Sequence, residues 1–191
     1  MIAPVDSTVH AHLANERVRE AVSLAIETYG PELLGYVVAL ERSEHDAHEI
    51  FSTFCEDVVR GLAGFEGRAS LRTWLYLVLR NARARHHRKK APQHVPISRL
   101  ASQLVDRTRT ATAPFRRTTV KDAYRRLREQ LEPEDQEMLI LRVDRALSWL
   151  EVARILGADE DDEKRRAAAL RKRFERVKLQ LAQLAAEADL R

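Results

Sequence analysis

The chain has 191 residues and a formal charge of only +4, from 33 Lys+Arg against 29 Asp+Glu, with a pI of about 9.4. That length fits one domain or two small ones, 45% apolar residues suffice for helical cores, and 6 Gly and 6 Pro exclude a repetitive or low-complexity chain. The single cysteine, Cys55, excludes an internal disulfide framework and fits a reducing cytoplasm, while no apolar run nears the ~20 residues of a membrane span and no signal-peptide layout opens the chain, so neither membrane nor secretion is expected.

In chain order, residues 1–14 read as an N-terminal tail, and a first helical module follows over 15–90. Residues 18–26 and 33–40 are apolar at helical spacing, and Gly30-Pro31 between them predicts two helices with Pro31 in the first turn of the second. Residues 46–62 place Ala47, Ile50, Phe51, Phe54, Val58 and Leu62 three and four apart, which makes one apolar face with Cys55 beside it as a packed thiol. After a break over 61–67, Ser70 is placed to cap a long helix through Lys90, with a stripe of Leu71, Trp74, Leu75, Val78 and Ala82. Residues 91–119 hold Pro92, Pro96 and Pro114 with many Ser and Thr, and predict a linker with one short helical turn at the apolar patch over 100–105.

The second module spans 120–191. Pro133 opens a helix with Glu134 and Asp135 in its first turn, where the macrodipole favours acids. Ser148 and Glu151 have capping-box spacing, and Gly157 stands where a helix-ending glycine belongs. The last helix carries Ala167, Leu170, Phe174, Val177, Leu181 and Leu184 on one stripe. A short helix, a turn and a basic helix form the helix-turn-helix layout, whose second helix enters the major groove. The expected fold class is all-α: two small helical domains joined by a flexible linker, the second a helix-turn-helix.

The small net charge conceals alternating blocks. Residues 15–66 carry 4 basic and 11 acidic side chains, 67–90 carry 8 and none, 91–119 carry 5 and 1, 120–163 carry 7 and 13, and 164–191 carry 9 and 3. Two separated basic blocks are the footprint of a protein that touches a polyanion at two places, because Lys and Arg on phosphates release counterions. A solvated helix face is the bland alternative for each block.

These residues carry a resemblance. The run from Phe65 to Asn81, FEGRASLRTWLYLVLRN, is similar to the signature F-x-G-x-S-S-x-R-T-W-L-Y…A-R-N of extracytoplasmic-function sigma factors of bacterial RNA polymerase. Tyr29 to Tyr36 and Asp46-Ala47 sit where that family places similar residues. LSWLEVARILG, ending at Gly157, resembles the region-four L-S-Y-E-E-I-A-E-I-L-G, and LRKRFERVK, starting at Leu170, resembles V-K-S-R-L-H-R-A-R. The family pairs region two, here 15–90, with region four, here 120–191, across a linker at 91–119. Two departures stand out. Ser52-Thr53 replaces a frequent Gln-Glu, and about six extra residues, including the acidic run 159–163, precede the recognition helix. Beside DNA such acids oppose binding, so they are expected to complement the helix N-terminus and point away from phosphate.

The resemblance implies partners and roles. Asp46, Glu49, Ser52, Thr53 and Glu56 would bind core RNA polymerase at the clamp of its largest subunit; singly, each reads as part of a solvated helix face. Arg68, Arg72, Trp74, Asn81, Arg85 and Arg88 would melt and capture the −10 promoter DNA, work that needs a cationic groove with planar and polar groups for unpaired bases. Tyr76 offers the same chemistry, and Trp74 lies on the apolar stripe, where core packing is its favoured role. Arg165, Arg166, Lys172, Arg173 and Arg176 would hold the −35 duplex through bases or phosphates. Family members are commonly held by an anti-sigma factor. No cofactor and no catalytic group are expected, since there is neither a phosphate-binding glycine loop nor a nucleophile motif. His45 and His48 have a ligand-compatible offset beside Asp46 and Glu49, but with no second cluster they read as surface histidines, and His86-His87 point apart on a helix. Two competing readings are a helix-turn-helix regulator acting without polymerase, against which the 65–81 signature argues, and a sigma-like protein-interaction adaptor.

Overall fold

The computed structural model describes residues 4–41, 43–88, 99–111 and 119–187, and these are helices and turns without a strand. The chain divides into two compact units, Met1–Ala113 and Pro114–Arg191. Both belong to an all-α architecture.

The first unit contains α1 (Pro4–Ala14), α2 (Val18–Leu40), α3 (Glu44–Gly61), α4 (Leu71–Arg88) and α5 (Arg99–Ala111). Its core joins Ala21, Ile26, Leu33 and Val37 of α2 to Ile50, Phe51 and Phe54 of α3 and to Leu71, Leu75 and Leu79 of α4, all fully buried. Ser43 caps α3, its hydroxyl accepting the Asp46 N–H at 3.2 Å, and Ser70 caps α4 through the Thr73 N–H at 3.1 Å. Cys55 is a packed thiol, and burial pushes its pKa up.

Three sequence expectations change. Residues 4–14 are a packed helix instead of a tail: Val9 and Asp6 are buried, and α1 lies along α2. The helix α2 runs through Pro31 without interruption. A mid-helix proline removes one backbone bond and costs ~3 kcal/mol. Here the apolar residues before and after it, Ala21 to Ile26 and Leu33 to Val37, bury against the same core, and at ~1.5–3 kcal/mol per large side chain that outweighs the break. Finally, 99–111 within the expected linker form the full helix α5, which packs on α2 and α3 through Ala101, Leu104, Val105 and Thr108. Gly30 makes the approach possible, because a Cβ there would lie 2.8 Å from Thr108 Oγ1. The helix α4 is described to Arg88; the expected end at Lys90, and Pro92, Pro96 and Pro114, lie outside the described residues.

The second unit contains α6 (Thr119–Arg128), α7 (Pro133–Leu139) with a π turn Ile140–Asp144, α8 (Trp149–Ile155) and α9 (Glu163–Glu187). Pro133 occupies the first turn of α7. At α8 the capping box is complete: Ser148 Oγ accepts the Glu151 N–H at 3.3 Å and the Glu151 carboxylate accepts the Ser148 N–H at 2.8 Å. Gly157 then takes φ +93°, the left-handed conformation that closes a helix. Met138, Ile140, Leu147, Val152 and Ile155 form the core that Ala167, Leu170 and Val177 of α9 complete.

Candidate nucleic-acid interface

Residues of α4 divide by helical angle into three stripes. Leu71, Leu75, Leu79 and Ala82 are buried toward the bundle. On one flank lie Arg72, Tyr76, Arg83 and His87, which meet acids of helix α2 and its C-terminal end. Glu32 Oε1 accepts from Arg72 Nε at 3.0 Å, Arg72 Nη2 at 2.5 Å and the Tyr76 hydroxyl at 2.5 Å. Glu41, only 8% exposed, accepts from Arg83 at 2.6 Å and contacts His87 at 3.1 Å. Tyr76 is fully buried, edge-on to Tyr36, so it is core and not a base platform.

The opposite flank carries Trp74, Asn81, Arg85 and Arg88 at alternating spacing of seven, four and three. Trp74 is half-buried: its ring packs on Phe65, centroids 5.5 Å apart, and over Gly61. Asn81 and Arg88 are exposed, and Arg85 pairs with Asp57 of α3. Arg68, in the loop before α4, is exposed and 3.0 Å from Glu66. Of the six cation and base-contact candidates, this flank gathers four; Arg72 stands on the far side and Arg68 in the loop.

On α3, Asp46 and Glu49 are partly exposed near the start of the helix. Ser52 and Thr53 turn their hydroxyls back onto the carbonyls of His48 and Glu49, at 2.9 and 3.1 Å. Glu56 is buried, 4% exposed, with Arg60 at 3.3 Å, so the five acids and hydroxyls read from sequence are not one surface.

The second basic block is divided in the same way. Arg166 and Arg173 face α7: Arg173 donates to Asp135 and to Glu134, both at 2.5 Å, and Arg166 pairs with Glu134. Those bonds, to Asp135 foremost, hold the Arg173 guanidinium above its ordinary pKa. Arg165, Lys172 and Arg176 point outward from α9, with Arg165 2.5 Å from Asp162. Lys164 and Arg171, absent from the sequence candidates, line an open groove with Arg142, Ser148 and Trp149 at the start of α8. Arg142 lies 5.0 Å over the Trp149 ring, and Trp149 in turn meets Phe174 edge-on at 5.3 Å. The spacing of 164, 168 and 171 was the available signal, since it puts these positions on one side of α9. The acidic run is partly neutralised: Glu163 pairs with Arg154 of α8 and Asp162 with Arg165.

The geometry offers two cationic surfaces, each beside partly exposed aromatic groups, and no helix of the described residues is long and apolar enough to cross a membrane. Comparison with known proteins points the same way. A family model described as sigma-70 region 2 matches residues 25–93, which includes the whole of α3 and α4. The chain is similar to the RNA polymerase sigma factor YlaC of Bacillus subtilis (strain 168), with 28% identity over 141 residues that cover 73% of this chain and 81% of that protein. No solved structure matches the chain at a significant level. The all-α fold, the sigma-70 region 2 match over 25–93 and the likeness to a sigma factor over 73% of the chain agree with one another and support an RNA polymerase sigma factor, a protein of transcription initiation.

Proposed function

We propose that this sigma factor docks on the clamp of the largest polymerase subunit with its first unit, opens the −10 element with the outer flank of α4, and holds the −35 duplex with its second unit. The observation that carries this reading is the split of cations on α4. Arg72 and Arg83 are neutralised by acids inside the unit, whereas Asn81 and Arg88 are exposed on the flank that also presents Trp74 and Arg85. Melting needs such a flank: cations that draw in the backbone, and a planar ring beside an amide to take unpaired bases. In the second unit, Lys164, Arg171, Lys172 and Arg176 have no carboxylate partner among the described residues, and supply phosphate or base contacts along α9 and the start of α8. The partly exposed Asp46 and Glu49 are the polymerase-facing groups of α3. The protein brings no catalytic chemistry of its own and works in the cytoplasm, and an anti-sigma protein is the regulatory partner to seek by co-purification.

Run-off transcription with purified core polymerase tests the reading. The protein is expected to direct initiation from a subset of promoters in a genomic library, and permanganate reactivity is expected at their −10 elements. DNA binding without any specific transcript would favour a regulator that acts without polymerase; polymerase or protein binding without DNA contact would favour an adaptor.

A further inference from the structure

The buried stripe of α4, Leu71, Leu75, Leu79 and Ala82, continues one turn further to His86. The imidazole therefore points into the bundle at its end, where α3 begins, and meets two acids of α3 that share a face at a three-residue offset. His86 Nε2 lies 3.6 Å from Asp46 Oδ1, and His86 Nδ1 lies 4.0 Å from Glu49 Oε2. One donor atom from each of Asp46, Glu49 and His86 falls within 4.8 Å of the others. His45, a turn before Glu49, adds its Nε2 3.3 Å from Glu49 Oε1. The sequence lacked a second group for the histidines of α3; the antiparallel packing of α4 on α3 supplies it.

We propose that this corner binds a transition-metal dication of the zinc class, with Asp46, Glu49 and His86 as ligands and His45 as the fourth. Ligand atoms ~2.0–2.1 Å from a tetrahedral zinc stand about 3.3 Å apart. The observed separations exceed this by amounts that rotation of partly exposed carboxylates closes, and the Asp46 and Glu49 side chains are 43% and 41% exposed. Two carboxylate oxygens with one or two imidazole nitrogens suit zinc, cobalt or nickel, and are too few oxygens for calcium, which takes 6–8. The backbone there is already held without metal, since Ser43 caps the Asp46 N–H. The metal thus adds a bond between two helices that fold without it. On the reading that Asp46 and Glu49 face polymerase, occupancy takes up the same two carboxylates and lowers affinity for core enzyme, so that metal availability regulates docking.

The test uses the tag-free full chain. Isothermal titration with zinc chloride is expected to give one ion per chain, and cobalt is expected to develop tetrahedral d–d absorption that zinc removes. His86→Ala and Glu49→Gln should each weaken binding by more than about tenfold, whereas His87→Ala, whose ring turns to Glu41, should retain it. Circular dichroism of each variant, with His86→Asn as the milder change, separates ligand loss from misfolding. Absence of stoichiometric zinc binding, or binding that His86→Ala leaves intact in a folded chain, overturns the site. Core-polymerase affinity is then measured with and without zinc for the parent chain and for His86→Ala. Weakening by zinc in the parent alone supports the regulatory role, and equal affinities overturn it while leaving the site in place. If Asp46→Asn and Glu49→Gln leave docking unchanged in chelated buffer, the polymerase-facing assignment fails and the metal site is judged by the titration alone.

Discussion

The Arg72 guanidinium donates two hydrogen bonds to one oxygen of Glu32, and the buried Tyr76 hydroxyl donates to that oxygen as well. Arg72 thereby ties α4 to α2. Its place in the −10 signature marked it for DNA, yet its charge is matched within the unit. Arg72→Ala is expected to destabilise the first unit by about 1–2 kcal/mol, because Glu32 loses both guanidinium hydrogen bonds and keeps only the Tyr76 hydroxyl in a site about a quarter exposed. Glu32→Gln should cost a similar amount. Urea denaturation followed by circular dichroism measures both; an unaltered midpoint for Arg72→Ala would return Arg72 to the DNA-facing set.

Asp6 closes the N-terminal end of α4. Its Oδ2 accepts the Leu71 N–H at 3.1 Å and its Oδ1 accepts the Tyr29 hydroxyl at 3.2 Å, and the residue is 3% exposed. Burial, reinforced by the Asp6 charge, pushes the Tyr29 phenol from 10.0 up to about 12. The fold therefore favours the neutral phenol. Its contribution to stability is whole below the ordinary pKa of 10.0 and is lost as pH rises toward about 12. The stability difference between the parent chain and Tyr29→Phe should accordingly shrink over that alkaline window and stay flat below it, as read from denaturant midpoints at several pH values.

Arg173 and Arg176 are one turn apart on α9 and are expected to fail in different ways. Arg173→Ala breaks the bonds to Glu134 and Asp135 and should lower the stability of the second unit by about 1–2 kcal/mol. Arg176→Ala, exposed and without a carboxylate partner among the described residues, should leave stability within about 0.5 kcal/mol. It should instead reduce the salt slope of −35 duplex binding by about 0.9 per phosphate contact removed. Fluorescence anisotropy at several salt concentrations separates the two, and a slope unchanged in Arg176→Ala would move the contact to Lys164 and Arg171.

Ala146 holds φ +53° in the turn that carries the chain from the π turn into α8. A Cβ in that conformation is strained by ~1–2 kcal/mol, and the turn persists because Leu147 beside it is fully buried. Ala146→Gly should raise stability by about 0.5–1 kcal/mol after the larger unfolded-state entropy of glycine is subtracted. Thermal unfolding provides the measurement, and a lower midpoint would show the φ to be unstrained in this turn.

Features that depend on neighbours in sequence were legible before the fold was known. Ser148 with Glu151, Gly157, Pro133 and the apolar face of α3 all act through contacts three or four residues away, and each occurs as read. What escaped depends on partners far along the chain. Pro31 looked like a boundary because the core that carries α2 past it comes from other helices. The buried stripe of α5 includes Ala101 and Thr108, which composition assigns to a linker until Gly30 is seen beneath it. Arginines of both basic blocks were counted as surface because charge patterning cannot show that Glu32, Glu41 and Glu134 face them. The same blindness hid His86 behind Asp46.

The first and last described helices of the first unit both dock on α2, and Asp6 meets a backbone amide 65 positions later. At roughly 5–20 residues per second of synthesis, about 3–13 s separate the appearance of Asp6 from that of its partner. Until then the Asp6 carboxylate, destined for burial, has only the Tyr29 hydroxyl of α2 to donate to it. The unit therefore completes itself late and all together during translation, with α5, which arrives last, finishing the cover over Gly30.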